Sequence, residues 1–177
     1  MNATTLREAD ALAGIDAEMG LLGALLLDNQ SFDRISDKLR AEHFYVEQHR
    51  DIFAELSSQI CAGRMADVLT VGMALTGKVT LAELNEIAQY VPSAANIRRY
   101  AELVIERHKS RALLKVSTEI TELANDHTRS IEDRVECAQG QLVKLIDEAP
   151  RDDWVGAFES MMTHMTVLEE RAEGKDR

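Results

Sequence analysis

The chain has 177 residues, 45% of them hydrophobic and 5% aromatic, with a formal net charge of −11. That length suits one ordinary domain, or a small domain with an extension. The acidic balance argues against tight phosphate binding, which draws its affinity from Lys and Arg, so contact with DNA through this chain is expected to be weak. No apolar run approaches the roughly 18 residues of a membrane span. The amino terminus also lacks a charged and apolar leader pattern, so a cytoplasmic protein without a membrane partner is expected. Cys61 and Cys137 form no CxxC pair and are expected as reduced thiols. Few prolines and aromatics, with abundant Ala, Leu and Glu, predict an all-α fold.

In chain order, residues 1–14 show no clear period and are expected as a flexible N-terminus. Residues 15–92 predict a globular helical head. Asp16 is placed to cap a first helix running to about Leu27, and Ser31 to cap a short second one with Phe32, Ile35 and Leu39 inward. His43 to Tyr45 reads as a connector. Gln48 to Ala62 shows Ile52, Phe53, Leu56 and Ile60 on one face, with Gly63 as the C-terminal stop. Asp67 starts a further helix, and Thr80 caps one carrying Leu81, Leu84, Ile87 and Ala88.

Beyond Pro92 the pattern changes. Proline keeps Val91 out of the helical region, and Ser93 is placed as the cap of a long helix. Ile97, Ala101 and Val104 open a stripe that continues as Leu113, Val116, Ile120 and Leu123. After Asp126-His127-Thr128-Arg129 the chain restarts at Ser130, with Asp133 three residues on, a capping-box-like signal. Ile131, Val135, Ala138, Leu142 and Leu145 then recur at alternating four- and three-residue steps.

Two stripes joined by a short polar turn predict a long antiparallel helical hairpin over residues 93–148, its first arm about 33 residues and on the order of 50 Å long. Leu113, Leu114, Val116, Ile120, Leu123, Ile131, Val135, Leu142, Leu145 and Ile146 are the candidate hairpin-seam or subunit-interface residues. Leu114 and Ile146 lie off the internal seam, so pairing with a second copy is expected. Residues 149–177 read as a linker at Pro150 followed by a separate C-terminal helix. Its stripe of Trp154, Phe158, Met161, Met165 and Leu168 suits docking; folding back on the hairpin is the plainer alternative.

Arg98, Arg99, Arg107, Lys109, Arg111 and Lys115 crowd one stretch against Glu102 and Glu106. A solvated helix face is the ordinary explanation. Arg98, Arg99, Arg107 and Arg111 are the candidates for docking an acidic partner or a nucleic-acid strand. Gly72-Met73-Ala74-Leu75-Thr76-Gly77-Lys78-Val79 comes one residue short of a nucleotide-binding loop. Its eighth position needs a hydroxyl for Mg²⁺, which Val79 cannot supply and Thr80 supplies one residue late. The histidines show no metal-ligand spacing, and His49 is expected as a partly buried structural residue bonded to a carbonyl. No catalytic, cofactor or metal residue is predicted, and the chain is expected neither to bind nor to hydrolyse ATP.

Val91-Pro92-Ser93-Ala94-Ala95-Asn96-Ile97-Arg98-Arg99-Tyr100-Ala101-Glu102-Leu103-Val104 closely resembles the P-S-A-A-N-I-x-x-Y-A-x-[IL]-V segment of replicative DNA helicases of the DnaB family. Glu18 to Asp28 resembles that family's E-x-x-[VL]-L-G-x-[LM]-L-L-D, and Phe44 to Phe53 its F-[YF]-x-x-x-H-R-x-I-F. Asp67 to Val71 is a weaker echo of D-[LV]-[VI]-T-[LV], and the family's longer glycine-paired loop is shortened here between Gly77 and Glu86. The resemblance covers roughly Asp16 to Asp147. It implies the amino-terminal collar of a replicative helicase, with a linker helix that docks on a neighbouring motor domain. It further implies dimers assembled into a ring of six, a trimer of dimers, that recruits primase and responds to a helicase loader. The parent would unwind duplex DNA with ATP and Mg²⁺ through a RecA-like domain expected soon after Arg177. The alternative is a stand-alone adaptor that borrows the collar fold to bind primase or co-assemble with a helicase.

Overall fold

A computed structural model describes residues 3–147, with side chains described for residues 14–145. The expected docking stripe from Trp154 to Leu168 therefore lies outside the described residues. The fold is all-α: α1 (Ala3–Leu27), α2 (Glu47–Cys61), α3 (Val68–Ala74), α4 (Leu81–Gln89), α5 (Ile97–Asn125) and α6 (Ile131–Asp147). Two short 3₁₀ turns, Asn29–Arg34 and Ala41–His43, link α1 to α2. Among the described residues there is no strand, and no helix is long and apolar enough to cross a membrane.

The chain divides into two units inside α5, after Glu119. The first is the helical head, built around α1. Ala17, Leu21, Leu22, Ala24 and Leu25 are all buried, as expected of a helix that is apolar most of the way round. They meet Phe32, Ile35, Leu39, Phe44, Ile52, Phe53, Leu56, Val71, Leu84 and Ile87 in one continuous core. The sequence placed the end of the head at Pro92. Ile97, Ala101 and Val104 nevertheless belong to that core, so the start of α5 completes the head. A carbon added at Gly23 would lie 2.4 Å from the Ile87 carbonyl oxygen, so only glycine admits the α4 backbone this close to α1.

Most predicted helix ends have their expected chemistry. Asp67 caps α3 in a reciprocal box with Thr70, and Thr80 caps α4 in another with Glu83. Gly63, at φ 70°, closes α2: its N–H donates to the Ile60 carbonyl (2.9 Å) while that of Arg64 donates to Gln59 (2.9 Å). This paired arrangement satisfies two terminal carbonyls at once. Gly77, at φ 86°, makes the tight turn in which the N–H groups of Lys78 and Val79 both donate to the Leu75 carbonyl. That turn leads the chain into α4.

Three local expectations are corrected. Asp16 caps nothing: α1 starts upstream at Ala3, in a run of good helix formers, and the Asp16 carboxylate accepts from the Tyr90 hydroxyl, raising that phenol's pKa. Ser31 is not a cap but a buried residue whose hydroxyl donates to the Asp28 carbonyl at 2.6 Å. Asp28 is the cap, accepting from the N–H of Gln30, and the turn it starts is 3₁₀. On α4, Leu84 and Ile87 are buried, while Leu81 is about half exposed with its side chain over buried Gly72. Nor does Ser93 cap the long helix: that helix starts at Ile97, after a turn in which Ser93 accepts from the N–H of Ala95 (3.4 Å).

In the second unit, α5 ends at Asn125 and Asp126 organises the turn, accepting from the N–H of Thr128 (3.1 Å) and pairing with Arg129 (3.2 Å). The Ser130 hydroxyl accepts from the N–H of Asp133 at 3.1 Å, the cap read from the sequence. Arg134 reaches back across the turn to the Ala124 carbonyl (2.7 Å).

Candidate interaction surface

The motif residues converge on one place in the head, where they hold helices together. Val46 precedes α2 without a side chain able to cap it. Glu18, buried on α1, ties down the residues that lead into the helix: its carboxylate accepts from the N–H of Tyr45, more weakly from that of Val46 (3.4 Å), and from His49 Nδ1 (2.8 Å). A carboxylate at a helix N-terminus satisfies free N–H groups and meets the positive end of the dipole. His49 is thus buried against a carboxylate rather than bonded to a carbonyl. Arg50 donates to the carbonyls of Phe44 (2.7 Å) and Tyr45 (3.1 Å), fixing the chain entry to α2. In the Val91–Val104 motif, Tyr100 packs its ring over Gly20, where an added carbon would sit 3.5 Å away. These residues have a structural reason to be what they are.

The near-miss of a phosphate loop has a different structure. Gly72 is inside α3, Val79 is buried in the core, and Lys78 pairs with Asp51 at 3.0 Å. A helix and a turn occupy the place of a glycine-rich cradle. Among the described residues no three His, Cys, Asp or Glu side chains are grouped to hold a metal.

The basic stretch on α5 separates into distinct roles. Arg111 is taken up by the head: it donates to the His43 carbonyl at 2.7 Å and stacks over the Tyr45 ring, 5.2 Å from its centroid. Arg99 pairs with Glu102 at 3.2 Å, and half-buried Arg107 lies against Gly14. Arg98 is exposed beside the turn at residues 34–38.

Beside Arg111, the His43 and His108 ring centroids lie 5.0 Å apart, a contact with no local signal in the sequence. His43 Nδ1 accepts from the N–H of Arg40 (3.1 Å), so its neutral form stabilises the 3₁₀ turn. Burial, then the neighbouring His108, lowers its pKa below the ordinary 6.5. The unfolded chain therefore binds this proton more readily than the folded one. The stabilising contribution is complete above about pH 6.5 and is lost as pH falls from there through the folded pKa. Denaturant midpoints should accordingly drop more between pH 7.5 and 5.5 for the wild type than for His43→Gln. Equal drops would rule out His43 as the cause.

The candidate interface residues divide by exposure. Leu113, Leu114, Ile131, Val135 and Leu142 are exposed, as is Val143, which the sequence reading omitted. Val116, Ile120, Leu123 and Leu145 are half-buried, and the Ile146 side chain lies outside those described. On the head, Met65, Leu69 and Met73 are also exposed.

Comparison with known proteins gives this arrangement a family. The family model described as DnaB-like helicase N terminal domain matches residues 10–106. Replicative DNA helicase DnaB of Haemophilus influenzae is 33% identical over 144 residues, 77% of this chain and 28% of its own length. That of Nostoc sp. is 30% identical over 166 residues, 90% of this chain and 19% of the relative. That of Geobacillus stearothermophilus is 31% identical over 153 residues, 83% and 33% respectively. The chain thus spans no more than about a third of these relatives.

Among solved structures, the N-terminal domain of DnaB helicase from Mycobacterium tuberculosis superposes with a TM-score of 0.68 at 24% identity. The match covers 74% of this chain and 96% of that one. A second match, described as the structure of a DnaB-like replicative helicase and its interactions with primase, has a TM-score of 0.60 at 19% identity. It covers 83% of this chain and 34% of that one. Order of motifs, all-helical fold and matched span agree: the chain belongs to the DnaB-like helicase N-terminal domain family.

Proposed function

We propose that this chain is the assembly and docking module of a replicative DNA helicase. Its α5 and α6 pair with those of a second copy, and three such dimers form the six-membered collar. The parent protein unwinds duplex DNA with ATP and Mg²⁺ on a motor domain. The collar receives primase and responds to the loader, and the stripe from Trp154 to Leu168 docks on a neighbouring motor. DNA makes only weak contact here, as the charge of −11 implies.

The observation that carries the reading is the row of exposed Leu, Ile and Val side chains on α5 and α6, in a chain of this family. Apolar rows of that kind meet water at a cost unless a partner covers them. The solved helicase described with its interactions with primase supports primase as one such partner. Calorimetric titration of the cognate primase into this chain tests the docking half. Saturable binding is expected; no binding at concentrations well above micromolar would remove primase from the reading.

A further inference from the structure

A groove of about 400 Å³ runs between the 34–38 turn and the beginning of α5. Arg98, Ala101, Glu102 and Ile105 line it from α5 at steps of three, four and seven residues, which places them on one helix face. Arg34, Ile35, Asp37 and Lys38 line it from the turn. The floor is apolar, with Ile35 and Ala101 buried and Ile105 half-buried. The rim is charged and unevenly satisfied. Glu102 is held by Arg99, while Arg34, Lys38 and Arg98 are exposed and form no ion pair among the described residues. In a chain of −11, three unpaired cations around an apolar floor are a local exception.

We propose that this groove docks a short acidic peptide segment of a partner protein, with one apolar side chain seated between its carboxylates. Guanidinium groups suit such carboxylates, since their planar fork can take both oxygens at once. Ile35, Ala101 and Ile105 take the apolar anchor. A nucleic-acid strand fits less well. No aromatic ring lines the groove to stack a base, and its apolar floor offers nothing to a sugar-phosphate backbone. The proposal deepens the docking half of the function above and rests on it only for the identity of the natural partner.

The test uses the full chain and a fluorescein-labelled peptide, Glu-Asp-Glu-Asp-Leu-Glu-Asp-Glu-Asp, read by fluorescence anisotropy at low salt. Binding is expected that weakens several-fold when the leucine is replaced by serine. Arg98→Glu and Lys38→Glu, on separate elements, should each weaken it by at least roughly tenfold, with helicity retained by circular dichroism. Arg64→Glu, an exposed charge outside the groove, should leave it unchanged. Absence of binding, or binding indifferent to Arg98→Glu and Lys38→Glu, would overturn the proposal. Tighter binding of an oligothymidylate through the same two residues would overturn it in favour of a nucleic-acid groove. Loss of self-association in both variants, without any peptide binding, would overturn it in favour of a contact between copies. A chain that assembles but ignores the peptide loses the groove and keeps the collar; one that binds the peptide as a monomer does the reverse.

Discussion

Glu18→Ala should destabilise the head by about 3 kcal/mol, because it strands one buried donor and two part-buried ones at up to about 1–3 kcal/mol each. The alanine would leave the Tyr45 N–H and His49 Nδ1 without the partner they share, in a site where Glu18 is 1% exposed. It would also remove the weak acceptor of the Val46 N–H and the negative charge at the start of α2. Glu18→Gln should cost less, since it keeps the shape and one acceptor oxygen while presenting an N–H₂ to groups that themselves donate. Equilibrium denaturation of both variants checks the order. A stability loss below about 1 kcal/mol for alanine would mean that water replaces the carboxylate, and that the buried network contributes little.

A methyl group at Gly23 should be nearly as damaging. Glycine to alanine inside a helix ordinarily gains about 0.5–1 kcal/mol. Here the new carbon would meet the Ile87 carbonyl oxygen at 2.4 Å, and a backbone atom cannot rotate away. Over-packing of this kind costs typically about 1–3 kcal/mol, sometimes more. The clash therefore wins, and Gly23→Ala should lower the thermal midpoint by several degrees. Gly140→Ala supplies the contrast. It has nothing within 4 Å of the added carbon and should hold or raise the midpoint. If the two substitutions behave alike, the close approach of α1 and α4 is not what requires glycine at position 23.

These two residues also show what the sequence could and could not say. Both belong to the Glu18–Asp28 motif, so their positions were legible from the resemblance. Their reasons were not, because Glu18 acts on backbone 27 residues downstream and Gly23 on a carbonyl in α4. Local chemistry was legible wherever it was self-contained: the boxes at Asp67 and Thr80, the glycine stop at Gly63, the cap at Ser130. It misled where two neighbours could play the same part, as with Asp28 and Ser31. The basic stretch read as one surface, yet Arg111 is committed to the His43 carbonyl and Arg98 opens on the groove. Nothing nearby in sequence brings the 34–38 turn or His43 against α5, so neither the groove nor the His43–His108 contact could be predicted.

We propose that the apolar surface on α5 and α6 is covered by another copy of the chain. Leu114 is 57% exposed, and Leu113, Ile131 and Val135 are each about half exposed. Covering a Leu or Ile side chain is worth roughly 1.5–3 kcal/mol, so a few per subunit could sustain a dimer. Light scattering of the purified chain across a concentration series measures this directly. At least a dimer is expected, shifted toward monomer by Leu114→Glu combined with Ile146→Glu while helicity stays nearly unchanged. A wild-type chain that remains monomeric at high concentration would contradict it, and a double variant that stays dimeric would put the contact elsewhere.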